Sequence, residues 1–505
     1  MVSKINSVSI NWLEWTKIEV EVDVSYWVTS FTIVWLADTS IQESKERVRT
    51  AVKNSGYSFP TTRITVNLAP ADIRKKWPSF DLAIAIWILS KDFEFSQDFL
   101  NKSIFLGELA LDGKLRWISS ILPSVIFAKE NNYKYIFVPE ENREEASLIP
   151  GINIVAVANL TEIVDILNET KEAPIAPKIN IKDFLSENKF EVDFAQIIWQ
   201  EQAKRTLLIA GAWGHNLLME WPPGSGKTML AKAFASILPE MSIDEVIEVS
   251  KIYSIAWLLT KEKPLIFRRP FRKVHHTASI ISIVGGWRDS RPGEISLSHK
   301  WVLFLDEFLE FDNKLIETLR QPIEDGEITI NRINASYKYP AKFTLIWALN
   351  PCPCGFLWDK EKPCICSQSQ VEKYRSKLSG PILDRMDIFI NVPRVKIEDF
   401  DTSKSKKTSS KDMKETIEKA RRIQLARFAG TGKTYNSEMS NKEIEKFCKI
   451  WVEEDKFIKN SVQKLDLSTR AYFRILKLAQ TIADLEWSDA VKIPHLAEAL
   501  SYRKK

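Results

Sequence analysis

The apolar run Leu217-Leu218-Met219-Glu220 leads into Trp221-Pro222-Pro223-Gly224-Ser225-Gly226-Lys227-Thr228, and the helix-forming MLAKAFASIL follows. A strand, a glycine-containing turn and a Lys-Thr pair opening a helix restrict a chain to an α/β layer with an anion site. Backbone N–H groups of the turn and the helix N-terminus face the same point there. Lys227 then reaches the β- and γ-phosphates of ATP and the Thr228 hydroxyl binds Mg²⁺. The pattern G-x-x-x-x-G-K-[ST] is met except at its first position, where Trp221 stands in place of glycine. A second element agrees with the first. Trp301-Val302-Leu303-Phe304-Leu305-Asp306-Glu307 is an apolar strand ending in two acids. In P-loop ATPases the strand beside the phosphate loop brings an Asp to the Mg²⁺ shell, and the next Glu can polarise the attacking water. Asp306 and Glu307 take those roles, and the two elements together specify ATP hydrolysis.

The rest of the chain is ordinary globular material: 505 residues, 45% hydrophobic and 27% charged, enough for roughly three domains and unlike a disordered, collagenous or rod-like protein. The net charge of +5 is too small to indicate nucleic-acid binding by bulk charge. The opening MVSKINSVSI lacks the basic-then-apolar order of a signal peptide, and no apolar run reaches about 18 residues, so a soluble cytoplasmic protein with no membrane partner is expected. Four of the five cysteines fall in Cys352-x-Cys354 and Cys364-x-Cys366. That clustering favours a structural Zn²⁺ site over a disulfide framework, the alternative being four free thiols.

Residues 1–168 alternate strand-like stretches (18–24, 31–34, 64–68, 135–138) with helical ones (41–55, 80–89), as a compact α+β domain does. The stretch 169–183, with its prolines and charges, reads as a linker, and 184–396 as the α/β nucleotide domain. A Lys/Ser-rich loop is expected over 397–414, and helical spacing over 415–427, 441–448, 454–465, 469–485 and 493–503 makes 415–505 a helical domain. No internal repeat of solenoid period is present.

Residues 8–505 resemble, nearly end to end, the YifB/ComM family of magnesium-chelatase-like AAA+ ATPases. The resemblance is carried by FTIVWLADTSIQESKERVR, RITVNLAPADIRKKWPSFDLAIA, GHNLLMEWPPGSGKTML, FRKVHHTASIISIVGGWRDSRPGEISLSHKWVLFLDE, TLRQPIEDGEITINR, NPCPCG, SGPILDRMDI and LSTRAYFRILKLAQTIADL. It implies an AAA+ P-loop α/β core, a C-terminal helical lid and an N-terminal domain of Lon-protease-like (S5-like) α+β fold. It implies that Asn350 is the sensor for the lytic water, that Arg385 is an arginine finger inserted into a neighbour's site, and that Arg470 is the lid-borne sensor arginine. Two arginines suit the charge spread over the γ-phosphate oxygens in the transition state. A finger acting in trans requires an oligomer, and the family implies a homo-hexamer. The segment 326–350, with strands expected over 328–331 and 337–345 and with Arg332 and Asn334 near the turn, resembles the hairpin that related helicases point into the ring pore, Arg332 being the DNA-contacting residue. Arg268, Arg269, Arg272, Lys273, Lys338 and Lys342 are expected to help line that pore with positive charge. His275-His276 match the family without a chemical role, a structural one being favoured over metal binding. In the Lon-like domain the nucleophile position is Ser79. The base position falls on Ser124, with only Lys114 and Lys129 nearby, so this domain is expected to be proteolytically dead.

The resemblance therefore implies a Mg²⁺- and ATP-dependent ring motor on DNA, of the branch-migration or helicase type. The alternatives are a chelatase-type or protein-remodelling ATPase, a protease, or an ATP-binding regulatory scaffold. One oddity bears on the last. Glycine numbers 16 and tryptophan 17, whereas glycine is usually about 7% of residues. Trp15, Trp27, Trp35, Trp77, Trp87, Trp199, Trp213, Trp221, Trp257, Trp287, Trp301, Trp358 and Trp487 stand where the family motif has glycine. Each such exchange should cost about 1–3 kcal/mol against a domain stability of only about 5–15 kcal/mol. A genetic code that reads UGA as glycine resolves this and returns glycine to about its usual share.

Overall fold

The computed structural model describes the chain outside residues 1–3, 12–13, 26–29, 35–38, 70–77, 120, 178–191, 198–199, 213, 224–225, 261, 264, 270, 287–290, 333–334, 358, 360–361, 379, 393–407 and 504–505. Two compact units emerge. One is Met1–Glu187 with Ile243–Phe267, the other Asn188–Ser242 with Arg268–Lys505.

In the first unit, β1 (Lys4–Asn11), β2 (Glu14–Ser25), β3 (Ser30–Val34) and β4 (Arg63–Ala69) form one sheet in the order β1-β2-β4-β3. Strand β4 shows why: Ile64, Val66 and Leu68 alternate with less buried neighbours, the period-two pattern of a sheet with one face in a core. Next come β5 (Ser103–Phe105), β6 (Glu108–Leu109), β7 (Leu115–Arg116), β8 (Tyr135–Pro139) and β9 (Asn153–Val157). Of these, β5, β8 and β9 make a parallel sheet and β6 pairs with β7. The helix Asp81–Leu89 is buried along its whole length, as a helix apolar on every face must be. Strand β1 was not expected from the sequence.

The second unit holds β10 (Leu217–Glu220), β11 (Phe271–Val274), β12 (Gly285–Gly286), β13 (Arg291–Pro292), β14 (Val302–Leu305), β15 (Glu327–Arg332), β16 (Ala335–Pro340), β17 (Thr344–Leu349) and β18 (Ile388–Asn391). Five of them form an all-parallel sheet in the order β11-β14-β17-β10-β18. Both β14 and β17 are buried at every position, the signature of a parallel sheet covered on two faces. The strand beside the phosphate-loop strand is thus β17, and the acidic strand β14 is one place further out. A crossover connection in a parallel sheet need not land next door, so motif order along the chain leaves lateral order open.

Two more expectations shift. The stretch 337–345 is two strands, not one. Strand β16 ends at Pro340, and the chain turns through Ala341, whose N–H bonds Gly326 O at 2.7 Å, before β17 begins. The helix expected to start at 415 starts at Ser410, because Ser409 and Asp412 form a reciprocal capping box; this shortens the Lys/Ser-rich loop, whose residues 401–407 lie outside the described set. The helices Asn441–Phe447, Val452–Lys464, Thr469–Leu485 and Ile493–Ser501 fall close to where the spacing put them. Thr469–Leu485 buries Ile475, Leu478, Ala479 and Ile482 in the same core as Leu217 and Phe304. No helix among the described residues is long and apolar enough to cross a membrane.

Candidate nucleotide site

The C-terminal ends of β10, β14 and β17 bring the sequence-predicted residues together. Gly226 sits at φ +84°, a backbone state that favours glycine, and its turn opens the helix Lys227–Ile237. Lys227 extends to Asn350, just past β17, with Nζ donating to Oδ1 at 2.5 Å. Burial pushes the Lys227 ammonium below its ordinary pKa, against the opposing pull of Asp306 and Glu307. A half-buried cation facing two carboxylates and an amide is an arrangement that can bind a phosphate chain and a divalent ion. Gly224, Ser225 and the side chains of Thr228 and Arg332 lie outside the described residues. Pro222 and Pro223 complete the turn.

Strand β11 supplies what sequence reasoning missed. Lys273 Nζ lies 3.1 Å from Asp306, and His276 Nδ1 lies 3.0 Å from Glu307. The second is a close contact without hydrogen-bond alignment, since the same Nδ1 has no aligned partner. Glu307 itself takes a left-handed backbone, φ +53°, and His275 packs on His276 with ring centroids 4.1 Å apart. Asp306 and Glu307, just past β14, are therefore met by basic side chains on β11 and just past its end. His275-His276 stood out in the sequence, but the signal for their role is the β11–β14 register, which no local pattern gives.

The two arginines expected around the γ-phosphate also meet each other. Arg385 pairs with Glu324 at 2.6 Å, and Arg470 pairs with the same carboxylate oxygen. Glu324 is pulled below its ordinary pKa because these two guanidiniums outweigh its partial burial. Arg474, one helical turn after Arg470, fixes the segment that carries Arg385: Nη1 donates to Arg385 O at 2.7 Å and to Asp387 Oδ1 at 2.6 Å.

Of the residues expected to line a basic pore, Arg269 is buried, whereas Arg272, Lys273, Lys338 and Lys342 make ion pairs while staying partly exposed. Arg269 donates to the carbonyls of Pro239, Lys300 and Glu240. Arg272 is bidentate with Glu294 at 2.5 Å for each bond, Lys273 is on Asp306, and Lys338 pairs with Glu327 at 2.7 Å. Lys342 lies 3.7 Å from Glu438. Nearby acids claim these cations, which sequence proximity to a hairpin cannot reveal. The hairpin itself is present, with Arg332 paired to Ala335 in its last rung; Asn334 is outside the described residues.

Cys352, Cys354, Cys364 and Cys366 converge, with all four Sγ atoms within 4.8 Å of one another and three pairs at 3.3, 3.5 and 3.6 Å. A tetrahedral thiolate site with Zn–S of about 2.3 Å needs sulfurs about 3.8 Å apart, so the donor set fits. In the first unit Ser79 and Ser124 are buried. Lys114 pairs with Asp112 at 3.0 Å, and the Lys129 stem lies beside Gly151.

The tryptophans divide. Trp257 and Trp487 have φ +60° and +56° and are 49% and 58% exposed, a backbone state and exposure that suit glycine. Trp221 and Trp301 are buried with an indole N–H that has no hydrogen-bond partner. Trp87 is buried in its helix and Trp15 lies on β2, while Trp27, Trp35, Trp77, Trp199, Trp213, Trp287 and Trp358 lie outside the described residues.

A parallel sheet with the Gly-Lys-Thr turn after one strand, Asn350 after the next and the acidic pair after the third fits a P-loop protein of the AAA+ type. Comparison with known proteins agrees. Residues 193–400 match the family model described as magnesium chelatase, subunit ChlI, residues 20–142 that of subunit ChlI of Mg-chelatase, and residues 407–503 that of the ChlI C-terminal region. The chain is 40% identical to competence protein ComM of Haemophilus influenzae over 491 residues, covering 96% of this chain and 94% of that protein. It is 38% identical over 486 residues to the uncharacterized protein YifB of Escherichia coli, again covering 96% and 94%. It is also 30% identical over 141 residues to Lon protease 2 of Bacillus subtilis, covering 27% and 25%. The chain belongs to the YifB/ComM family of magnesium-chelatase-like AAA+ proteins.

Proposed function

We propose that this protein is a Mg²⁺-dependent ATPase that works as a homo-hexameric ring motor on DNA, of the branch-migration or helicase type, in the cytoplasm. The observation that carries the ATPase reading is the convergence of Lys227, Asn350, Asp306 and Glu307 at one end of the parallel sheet. Lys227 and the turn around Gly226 bind the phosphates. Thr228 and Asp306 hold the Mg²⁺, whose positive charge offsets that of the β- and γ-oxygens. Glu307 accepts a proton from the lytic water that Asn350 orients. Arg385, from a neighbouring subunit, and Arg470 stabilise the charge that builds on the transferred phosphoryl group. The four cysteines hold a structural Zn²⁺.

DNA as the track rests on the hairpin β15–β16 and on kinship with a competence protein. The test is ATPase rate with and without DNA, in the parent and in Arg332→Ala. Stimulation by DNA that weakens in the variant, with basal rate kept, supports the motor; stimulation by protein substrates instead would point to remodelling.

A second reading, an ATP-binding scaffold with little turnover, is favoured by Trp221 alone. A buried indole with an orphaned N–H at the head of a phosphate loop fits poorly. The motor reading therefore takes residue 221 as glycine in the natural protein. Sequencing the gene decides: UGA codons at the family-glycine positions support the motor, and UGG codons there support the scaffold.

A further inference from the structure

We propose that the four-cysteine loop is a metal-pinned brace for the phosphate loop, so that metal occupancy sets nucleotide affinity although no cysteine touches the nucleotide. This rests on the metal reading of the cysteines given above. The loop leaves β17 immediately after Asn350, the residue bound to Lys227, and returns to the helix Gln368–Arg375. Three contacts join this segment to the nucleotide site. Gly355 lies so close to Pro223 of the phosphate loop that a Cβ built on it would fall 2.4 Å from Pro223 Cδ. Arg375 pairs with Glu220, the last residue of β10, at 3.1 Å. Lys377 Nζ donates to Leu309 O, two residues beyond Glu307, at 2.6 Å.

Among the described residues the segment buries few side chains of its own. Cys352 and Tyr374 are buried, but Ile365 is 86% exposed and Cys354, Cys364 and Cys366 are only partly covered. A loop without a core keeps a defined surface when a cross-link supplies the missing constraint, and four thiolates on one metal ion are such a cross-link. Gly355 is the point of transmission. It sits at φ +84°, one residue after Cys354, and its N–H closes a turn onto Cys352 O at 2.9 Å. Fixing Cys352 and Cys354 therefore fixes the surface against which Pro223 rests. Losing the metal frees that surface, and the phosphate loop loses its stop on one side.

The experiment uses the full chain and reads metal and nucleotide separately. Elemental analysis gives zinc per chain, Co²⁺ substitution gives the absorption of a tetrahedral thiolate site, and titration with a fluorescent ATP analogue gives the dissociation constant. Stripping the metal should weaken nucleotide binding about tenfold, and returning Zn²⁺ should restore it. Cys364→Ser should lose the metal and show the weak affinity permanently. Gly355→Val should keep the cobalt spectrum yet bind nucleotide about tenfold more weakly, because its side chain pushes Pro223. Unchanged affinity in Gly355→Val and in the stripped chain overturns the brace while leaving the metal site standing. A chain that takes up neither zinc nor cobalt overturns the metal reading itself.

Discussion

Asp81 in the first unit and Asp387 in the second are both buried carboxylates, and they titrate in opposite directions. Asp81 is fully buried with one guanidinium, Arg47, at 2.9 Å; burial outweighs that pair and lifts its pKa to about 6. Asp387 is as well shielded, yet Arg474, His215 and Arg503 together outweigh burial and hold it far below the ordinary carboxylate range. The number of cations per buried acid decides the sign. The same contrast runs through the molecule. In the second unit Asp306, Glu307, Glu324, Asp387 and Asp484 each face one or more basic side chains. In the first, among the described residues Glu145 is held by Asn142 and the Leu122 N–H, and burial takes it to about 7. The second unit spends its carboxylates on holding cations in place around the candidate site, whereas the first has covered two acids with apolar packing.

The largest effects should come from breaking charges at the sheet end. Lys227→Ala should abolish ATP binding. Glu307→Gln should leave binding intact and lower hydrolysis by about a thousandfold, because only the water-polarising carboxylate is lost. Binding by fluorescence titration and turnover by phosphate release separate the two. Parent-rate hydrolysis in Glu307→Gln would remove the acidic strand from the mechanism.

Arg385→Ala comes next, with hydrolysis lost and nucleotide affinity kept. Mixing it with Glu307→Gln chains should restore part of the activity, since a junction can then combine an intact Glu307 from one subunit with an intact Arg385 from the other. No recovery in a titrated mixture would place Arg385 in its own subunit's site or outside the chemistry. Arg470 shares Glu324 with Arg385 of the same chain, so an Arg385 that reaches a neighbour's phosphate must leave Glu324 to Arg470.

Much of this arrangement was legible because its signals are local. The phosphate loop, the acidic strand and the C-terminal helices each declare themselves within about 20 residues, through turn chemistry or apolar period. What stayed hidden depends on contacts between distant segments. Strand β17 lies between β10 and β14, His276 meets Glu307 across a strand register, and Asp387 accepts from the Asn216 N–H at 3.0 Å across 171 positions. The partners of the expected pore-lining cations stayed hidden for the same reason: Glu294, Glu327 and Asp306 pair with Arg272, Lys338 and Lys273. Seven of the tryptophans at family-glycine positions lie outside the described residues, so their reading remains one drawn from the sequence.

Paired substitutions sharpen the comparison of the two aspartates. Asp387→Asn leaves Arg474 and Arg503 without their carboxylate in a buried setting and should cost about 3–5 kcal/mol. It should also slow hydrolysis, because Arg474 holds the Arg385 backbone. Asp81→Asn removes a charge that burial already disfavours and leaves one cation, Arg47, without its carboxylate, so it should cost less, about 1–2 kcal/mol. Denaturant unfolding with probes in each unit measures both, and equal losses would erase the distinction.

The smallest effect is the pH response, and its sign differs between the units. A carboxylate whose native pKa is raised binds its proton more tightly folded than unfolded, so its contribution is complete below the unfolded pKa of about 4 and is lost as pH rises through the folded value. For Asp81 and Glu145 that loss falls between about pH 4 and pH 7 and is on the order of 1–3 kcal/mol per group. Asp387 behaves in reverse, because its depressed pKa stabilises the fold above about pH 4 and fails only as pH falls below that. Moving from pH 7.5 to pH 5 should therefore tighten the first unit and leave the second unchanged, and moving below pH 4 should loosen the second. Limited proteolysis at matched protease activity, with fragments assigned by mass, resolves the units in the full chain. If the first unit is cleaved faster at pH 5 than at pH 7.5, Asp81 and Glu145 are paired by groups other than Arg47, Asn142 and the Leu122 N–H, and the contrast with Asp387 fails.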